Sequence, residues 1–165
     1  MPEPIFDSDY WKTRSETAPQ EHHAIYKVSV EEWKSIEERH RAILQEKISE
    51  EDSILDAGCA WGRLLYLLPT GWRGDYLGVD LSSVFIKQAI SLHPERKNQF
   101  VIGDLRKLSS IAQVNYDWAI LISTKQMVIG NVGQSIWEQI ETELKKVCRR
   151  ILVLEYSKDD EGAVL

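Results

Sequence analysis

Three aspartates close short apolar runs at even spacing: Ile54-Leu55-Asp56, Tyr76-Leu77-Gly78-Val79-Asp80 and Phe100-Val101-Ile102-Gly103-Asp104, with 24 positions between successive aspartates. A carboxylate at the end of a buried strand is costly unless something pairs with it. Behind the first comes Ala57-Gly58-Cys59-Ala60-Trp61-Gly62-Arg63, and then the apolar residues Leu64, Leu65, Leu67 and Leu68. That order reads as strand, tight turn and helix N-terminus, the place where an open α/β sheet binds a nucleotide-like ligand. Gly58 and Gly62 allow backbone N–H groups to approach such a ligand with no Cβ in the way. Asp80 would accept hydrogen bonds from both ribose hydroxyls, and Asp104 lies where an adenine amino group can be read. Each has a plainer alternative. Asp56 could serve as a turn or cap acceptor, and Asp80 could cap the following helix, although Ser82 or Ser83 can already do that. With no phosphate-binding lysine in the set, the ligand expected is an adenosine without a pyrophosphate.

These residues need a frame, and the sequence supplies one. Continuous apolar strands near 53–57, 75–80, 99–103, 116–122 and 151–156 alternate with helical segments near 61–68, 83–91 and 135–148. That alternation argues for a parallel sheet covered on both faces. Right-handed crossovers give the strand order 3-2-1-4-5. Upstream, Ser29-x-x-Glu32 forms a capping box, and Val30, Trp33, Ile36, His40, Ile43, Leu44 and Ile48 recur at helical spacing. The expected fold is therefore a Rossmann-like, doubly wound parallel sheet of about five strands with an N-terminal helical cover. It forms a single domain over 1–165. Residues 1–49 make the N-terminal lid and helix, 50–157 the α/β core, and 158–165 an acidic tail.

The run from Asp56 to Gly62 resembles motif I (D/E-x-G-x-G-x-G) of the class I S-adenosylmethionine (SAM) methyltransferases, with Ala60 at the middle glycine. The resemblance covers residues ~50–157 and implies SAM as cofactor. Its sulfonium is cationic, so nearby carboxylates are tolerated, and its amino acid end takes the place of phosphates. Carried over residue by residue, it assigns cofactor contacts to Asp56, Gly58, Cys59, Ala60, Gly62, Asp80, Leu81, Asp104, Leu105 and Ser123. Asp56 would orient the methionine amino group directly or through water, and Cys59 is a small packing residue of the turn. Phe6-Asp7-Ser8-Asp9-Tyr10-Trp11-Lys12-Thr13-Arg14 looks like the Y-W-x-x-R lid segment of small-molecule methyltransferases, which adds Trp11 and Arg14. An aromatic anchor for the terminus is the alternative. The family adds two strands beyond the fifth, whereas about eight residues remain here after Ser157. The fifth strand would then present an open edge, which leads to the expectation of a homodimer through it.

Methyl transfer from a sulfonium is an in-line displacement, so the protein's work is placement and exclusion of water. The acceptor should enter at the ends of the first and fourth strands. The fourth ends in Ser123-Thr124-Lys125-Gln126-Met127. This is not the N/D-P-P-Y/F signature of amino-group DNA methyltransferases, and no Pro-Cys pair for cytosine C5 chemistry is present. Ser123 and Gln126 are candidates for holding a substrate, and His23, with His22, for taking a proton. An ordinary loop is the alternative for each. A small-molecule acceptor is expected, with a catalytically inactive SAM-binding module or partner subunit as the alternative. A nicotinamide-dependent oxidoreductase would need glycines at positions 60 and 63, where Ala60 and Arg63 stand.

Composition narrows the rest. The chain has 165 residues, 43% of them hydrophobic, and a net charge of −6, which argues against a broad electrostatic grip on nucleic acid. Lys145, Lys146, Arg149 and Arg150 are the dense basic cluster, read as helix-end charges complementing the helix dipole, with a polyanion site as the alternative. No apolar run reaches the ~18 residues of a membrane span, and Met1–Ile5 lacks the features of a signal peptide. Cys59 and Cys148 make neither a disulfide framework nor a metal spacing. The expected location is the cytoplasm, and no metal is expected.

Overall fold

The computed structural model describes residues 28–112, 115–157 and 159–165. Helix α1 spans Val30–Lys47; Ser29 caps it by accepting from the Glu32 N–H at 3.1 Å. Trp33, Ile36, His40, Ile43 and Leu44 form its buried stripe, whereas Val30, which shares the spacing, is exposed. The remaining elements are β1 (Ile54–Ala57), β2 (Tyr76–Asp80), α2 (Ser83–Leu92), β3 (Phe100–Ile102), α3 (Leu108–Ile111), β4 (Tyr116–Ile122), α4 (Thr124–Val132), α5 (Gln134–Val147), β5 (Cys148–Leu154) and β6 (Ala163–Val164). They build a six-stranded sheet in the order β3-β2-β1-β4-β5-β6, parallel except for β6.

Alternate residues of each strand feed two cores. Leu55, Ala57, Ala119, Leu121, Ile151 and Val153 face α3, α4 and α5, and meet Leu108, Trp137, Ile140 and Leu144 there. Ile54, Trp118, Ile120, Leu152 and Leu154 face the other way, toward Ile43 and Leu44 of α1 and Ile86 and Ala89 of α2. The helical cover expected from the sequence thus lies on one face of a doubly wound sheet.

Four expectations about elements are corrected. The segment 61–68 is not an α-helix but a 3-10 turn over Arg63–Tyr66. Ala60 and Gly62 both adopt left-handed backbone (φ 46° and 83°), so no helix can begin before Arg63, and Pro69 disfavours helix at Leu68. Too few residues remain to repay helix nucleation. Second, the stretch after Ser123, expected as a loop, is α4; its weakly amphipathic sequence, with Gly130 inside and Gly133 at its end, hides it. Third, the fifth strand begins at Cys148 rather than Ile151, which takes Cys148 out of the helix.

The fourth correction concerns the sheet edge. The tail is long enough to double back on β5. Val164 pairs with Leu152 and Ala163 with Val153, and the Leu165 N–H donates to the Ile151 carbonyl at 2.9 Å. Asp160 makes the return possible: its carboxylate accepts from the Glu155 N–H (2.9 Å) and the Gly162 N–H (3.1 Å), while its carbonyl accepts from Arg39 Nε of α1 (2.6 Å). The open edge that motivated self-association is therefore closed by the chain itself at Ile151–Val153.

The end of the sheet where the parallel strands begin is tied by polar contacts. The N–H and hydroxyl of Ser53 both donate to Asp117 (2.9 and 2.8 Å), and the Asp117 N–H donates back to the Ser53 hydroxyl (2.9 Å). Asp52 receives Trp118 Nε1 on its carboxylate (3.0 Å) and Trp72 Nε1 on its carbonyl (2.9 Å). The basic cluster belongs here and on α5. Arg149 meets Asp117 at 3.3 Å, Arg150 covers the Trp118 ring at 4.0 Å and reaches Asp52 at 3.9 Å, Lys145 pairs with Glu141 at 2.6 Å, and Lys146 pairs with Glu143. Every member has an acidic partner; Lys145 and Lys146 end α5 as expected, whereas Arg149 and Arg150 lie in β5 and not at a helix end.

Candidate active site

The opposite end of the sheet carries the candidate site. After Ala57 the chain turns through Gly58, Cys59, Ala60 and Gly62, and the Gly58 and Cys59 N–H groups donate to the Val79 carbonyl of β2 (2.8 and 3.1 Å). Gly58 is required twice over. Its φ is +81°, and a Cβ there would lie 2.4 Å from Thr124 Oγ1. Thr124 cannot withdraw freely, because its hydroxyl donates to the Ala57 carbonyl at 3.0 Å. Ala60 takes the left-handed conformation that the motif assigns to glycine, at a cost of roughly 1–2 kcal/mol for an L-residue. The substitution at position 60 therefore leaves the turn intact.

Asp80 closes β2 beside this turn. Its carboxylate accepts from the Ala60 N–H at 2.9 Å and from the Ser82 N–H at 2.8 Å, one bond on each oxygen. Burial pushes its pKa up, and the backbone N–H groups of Ser82, Ala60 and Leu81 pull it back. The helix-cap alternative does not apply: Ser82 caps α2 with its own hydroxyl, which accepts from the Phe85 N–H at 3.3 Å. Leu81 is half-buried between the two.

Asp56 is 3% exposed and accepts from the Tyr76 hydroxyl at 2.7 Å. Burial raises its pKa to about 7; the Tyr76 hydrogen bond opposes the rise, Asp80 adds to it and Arg63 opposes it. It sits beneath the turn, not on its surface. Cys59 is buried, its thiol pushed far up by burial, as a packing residue should be.

Asp104 is placed differently from the other two carboxylates. It caps the 3-10 turn Leu105–Lys107 through the Arg106 N–H (2.8 Å), and the Arg106 guanidinium grips both its oxygens, at 2.6–3.0 Å. The Arg106 bonds hold its carboxyl below the usual range against the burial that would raise it. Leu105 is a core residue on the α5 side of the sheet.

Ser123 ends β4 in left-handed conformation (φ 60°), 1% exposed, with its N–H donating to the Leu154 carbonyl at 2.7 Å. Its hydroxyl caps nothing and has no hydrogen-bond partner among the described residues. Two non-glycine residues with positive φ, Ala60 and Ser123, thus stand at the ends of the adjacent strands β1 and β4. Backbone strain of this kind concentrates at functional sites. Gln126 is exposed in the first turn of α4, with its Oε1 accepting from the Tyr156 N–H at 3.4 Å. Trp11, Arg14, His22 and His23 lie outside the described residues, as does the expected lid segment Phe6–Arg14.

Three features escaped the sequence reading. Tyr76 as the partner of Asp56 had no local signal, since it depends on the β1–β2 register. The Thr124–Ala57 tie depends likewise on α4. Glu155 had a signal: Ile151-Leu152-Val153-Leu154-Glu155 repeats the pattern of an apolar strand ending in a carboxylate. Among the described residues no cluster of His, Cys, Asp and Glu could hold a metal, and no helix is long and apolar enough to cross a membrane.

Comparison with known proteins agrees with this layout. A family model described as a methyltransferase domain matches residues 54–150, more than half of the chain. No curated protein gives a significant match. Among solved structures, magnesium protoporphyrin IX methyltransferase from Synechocystis, determined with bound SAM, superposes with a TM-score of 0.67 at 16% identity over 93% of this chain and 76% of that one. A TehB-like SAM-dependent methyltransferase from Corynebacterium glutamicum gives 0.58 at 21% identity, covering 88% and 71%. The Rickettsia typhi protein PKMT2, solved with AdoHcy, gives 0.53 at 22% identity, and the chain spans only 24% of its length against 70% of its own. At these identities the structures speak for the fold, and the family match for membership: the chain belongs to the class I, SAM-dependent methyltransferase family.

Proposed function

We propose that this chain transfers the methyl group of SAM by direct in-line displacement to a small-molecule acceptor, with the donor held over the Gly58–Gly62 turn. The observation that carries the reading is the Asp80 carboxylate. It is fixed by one N–H on each oxygen at the mouth of a turn that tolerates no side chain at Gly58. A carboxylate offers about four lone-pair positions, so acceptor capacity is left over for ribose hydroxyls. SAM when bound supplies a methyl group already activated on sulfur. The residues around it have only to orient donor and acceptor and keep water out. Asp56, buried behind the turn and bonded to Tyr76, would orient the amino acid end directly or through water. Cys59 and Cys148 are both free and buried, which suits the reducing cytoplasm, a placement that cell fractionation checks.

Calorimetry with SAM, its demethylated product and NAD tests the reading. SAM and the product should bind and NAD should not. Asp80→Ala removes hydrogen bonds worth roughly 1.5–3 kcal/mol each, so SAM affinity should fall at least tenfold in a protein that still melts cooperatively. Unchanged affinity in the folded variant would refute the ribose assignment.

A further inference from the structure

Beyond the last paired residues of β4 and β5, Ile122 and Leu154, the next residue on each strand is Ser123 and Glu155. Each carries a buried side-chain oxygen with no hydrogen-bond partner among the described residues: the Ser123 hydroxyl and Glu155 Oε2. Buried polar atoms are nearly always paired, so two orphans at facing positions on neighbouring strands need an explanation. The backbone around Glu155 is by contrast fully engaged. Its N–H donates to Asp160 (2.9 Å), its carbonyl meets His40 Nε2 (2.8 Å), and the Tyr156 N–H donates to Gln126 (3.4 Å). The main chain at Glu155 is thus fixed, while its carboxylate makes no hydrogen bond among the described residues. Its location is the donor end of the sheet. The Gly58 turn on β1, Ser123–Thr124 on β4 and Glu155 on β5 lie side by side, joined by the Thr124–Ala57 bond (3.0 Å) and the Ser123–Leu154 bond (2.7 Å).

We infer that Ser123 and Glu155 form the acceptor subsite, taking a neutral O–H or N–H nucleophile, with Glu155 receiving its proton. This rests on the methyl-transfer reading above and specifies the acceptor class for it. The acceptor heteroatom attacks the sulfonium methyl, and the bond from carbon to that heteroatom forms as the carbon–sulfur bond breaks. The sulfur keeps the electron pair and leaves as the neutral thioether. The proton of the acceptor passes to the Glu155 carboxylate and then to solvent. The surroundings suit a base. Burial and the Asp160 carboxylate raise the Glu155 pKa, the Lys125 ammonium lowers it, and His40, buried and held neutral by its own desolvation, adds no positive charge. An acceptor that is itself a carboxylate would meet Glu155 and Asp160 and be repelled.

The test uses labelled SAM and four probe acceptors: a phenol, a primary aliphatic amine, a thiol and a carboxylic acid. The phenol or the amine should be methylated, with kcat/KM rising with pH through one ionisation above the ordinary carboxylate range. Glu155→Gln should cut kcat 100-fold or more at pH 8 and abolish that pH limb. Ser123→Ala should raise the acceptor KM several-fold while keeping the limb. Calorimetric SAM affinity should be the same in wild type and Glu155→Gln, which separates this inference from the cofactor reading and reports that this variant folds; cooperative thermal melting reports the folding of Ser123→Ala. An unaltered pH profile in Glu155→Gln, or transfer to the carboxylic acid, or no transfer to any probe by a protein that binds SAM, would overturn it.

Discussion

Asp56→Asn is the most informative perturbation of the core beneath the turn. The wild-type carboxyl is buried, and its pKa rises from 3.8 to about 7 on folding. A raised carboxyl binds its proton more tightly folded than unfolded. Stability is therefore full below pH 4 and is lost as pH rises toward 7. The shift of about three units corresponds to roughly 4 kcal/mol over the whole range, of which about 2.5 kcal/mol falls between pH 5 and pH 8. Asparagine keeps an acceptor for the Tyr76 hydroxyl (2.7 Å in wild type) but cannot ionise. Other groups also titrate in this window: His40 and His93, with lowered pKa values, slope the opposite way. The wild-type curve alone is thus not diagnostic, and the difference between the two proteins is. Urea unfolding from pH 5 to pH 8 should show Asp56→Asn gaining on wild type as pH rises. The relative shift in melting temperature should be roughly 5–10 °C, at 2–4 °C per kcal/mol for a domain this size. Parallel curves for the two proteins would mean that Asp56 ionises freely in the folded state and would refute the argument.

Two further substitutions probe the frame. Gly58→Ala should destabilise the protein by about 2–4 kcal/mol through the left-handed backbone and the contact with Thr124, and SAM binding should be lost with it; thermal melting and calorimetry read both. Asp160→Ala should cost about 1–3 kcal/mol by orphaning the Glu155 and Gly162 N–H groups, and hydrogen exchange should show the Leu165 amide losing protection first.

Much of this structure was legible in the residues, for a physical reason. Parallel strands buried on both faces read as unbroken apolar runs, so β1, β2 and β4 stand out, and Tyr116–Ile122 has the same limits in both readings. Caps were legible because Ser29 uses a side chain that reaches only three residues. What failed depends on distance in the chain. Ala60 looks like a departure from the motif until its φ is known, since nothing local states that the turn will force alanine into the left-handed region. Asp56 and Asp104 follow the same pattern, yet burial raises the pKa of one, which is bonded to Tyr76, and Arg106 holds the other down; only strand register and the next turn decide which. The β6 return was missed because it needs Asp160 to gather two N–H groups, a single-residue effect with no period to reveal it.

The polar network around Ser53, Asp52 and Asp117 gives the sheet unequal ends. There every interior polar group described has its match, and three of the parallel strands enter the sheet already fastened. At the other end the strands finish in twisted alanine and serine, a carboxyl whose pKa burial raises and two oxygens without a partner among the described residues. Two ends so unequal in polar satisfaction should differ in local stability, the loop end being the weaker. Local opening should begin at the loop end and stop partway down the sheet, so that loops can rearrange around a passing small molecule without the strands separating. It also divides the molecule for an engineer: changes that add stability should disturb activity least at the fastened end, whereas relaxing Ala60 or Ser123 would remove the backbone strain at the opposite one.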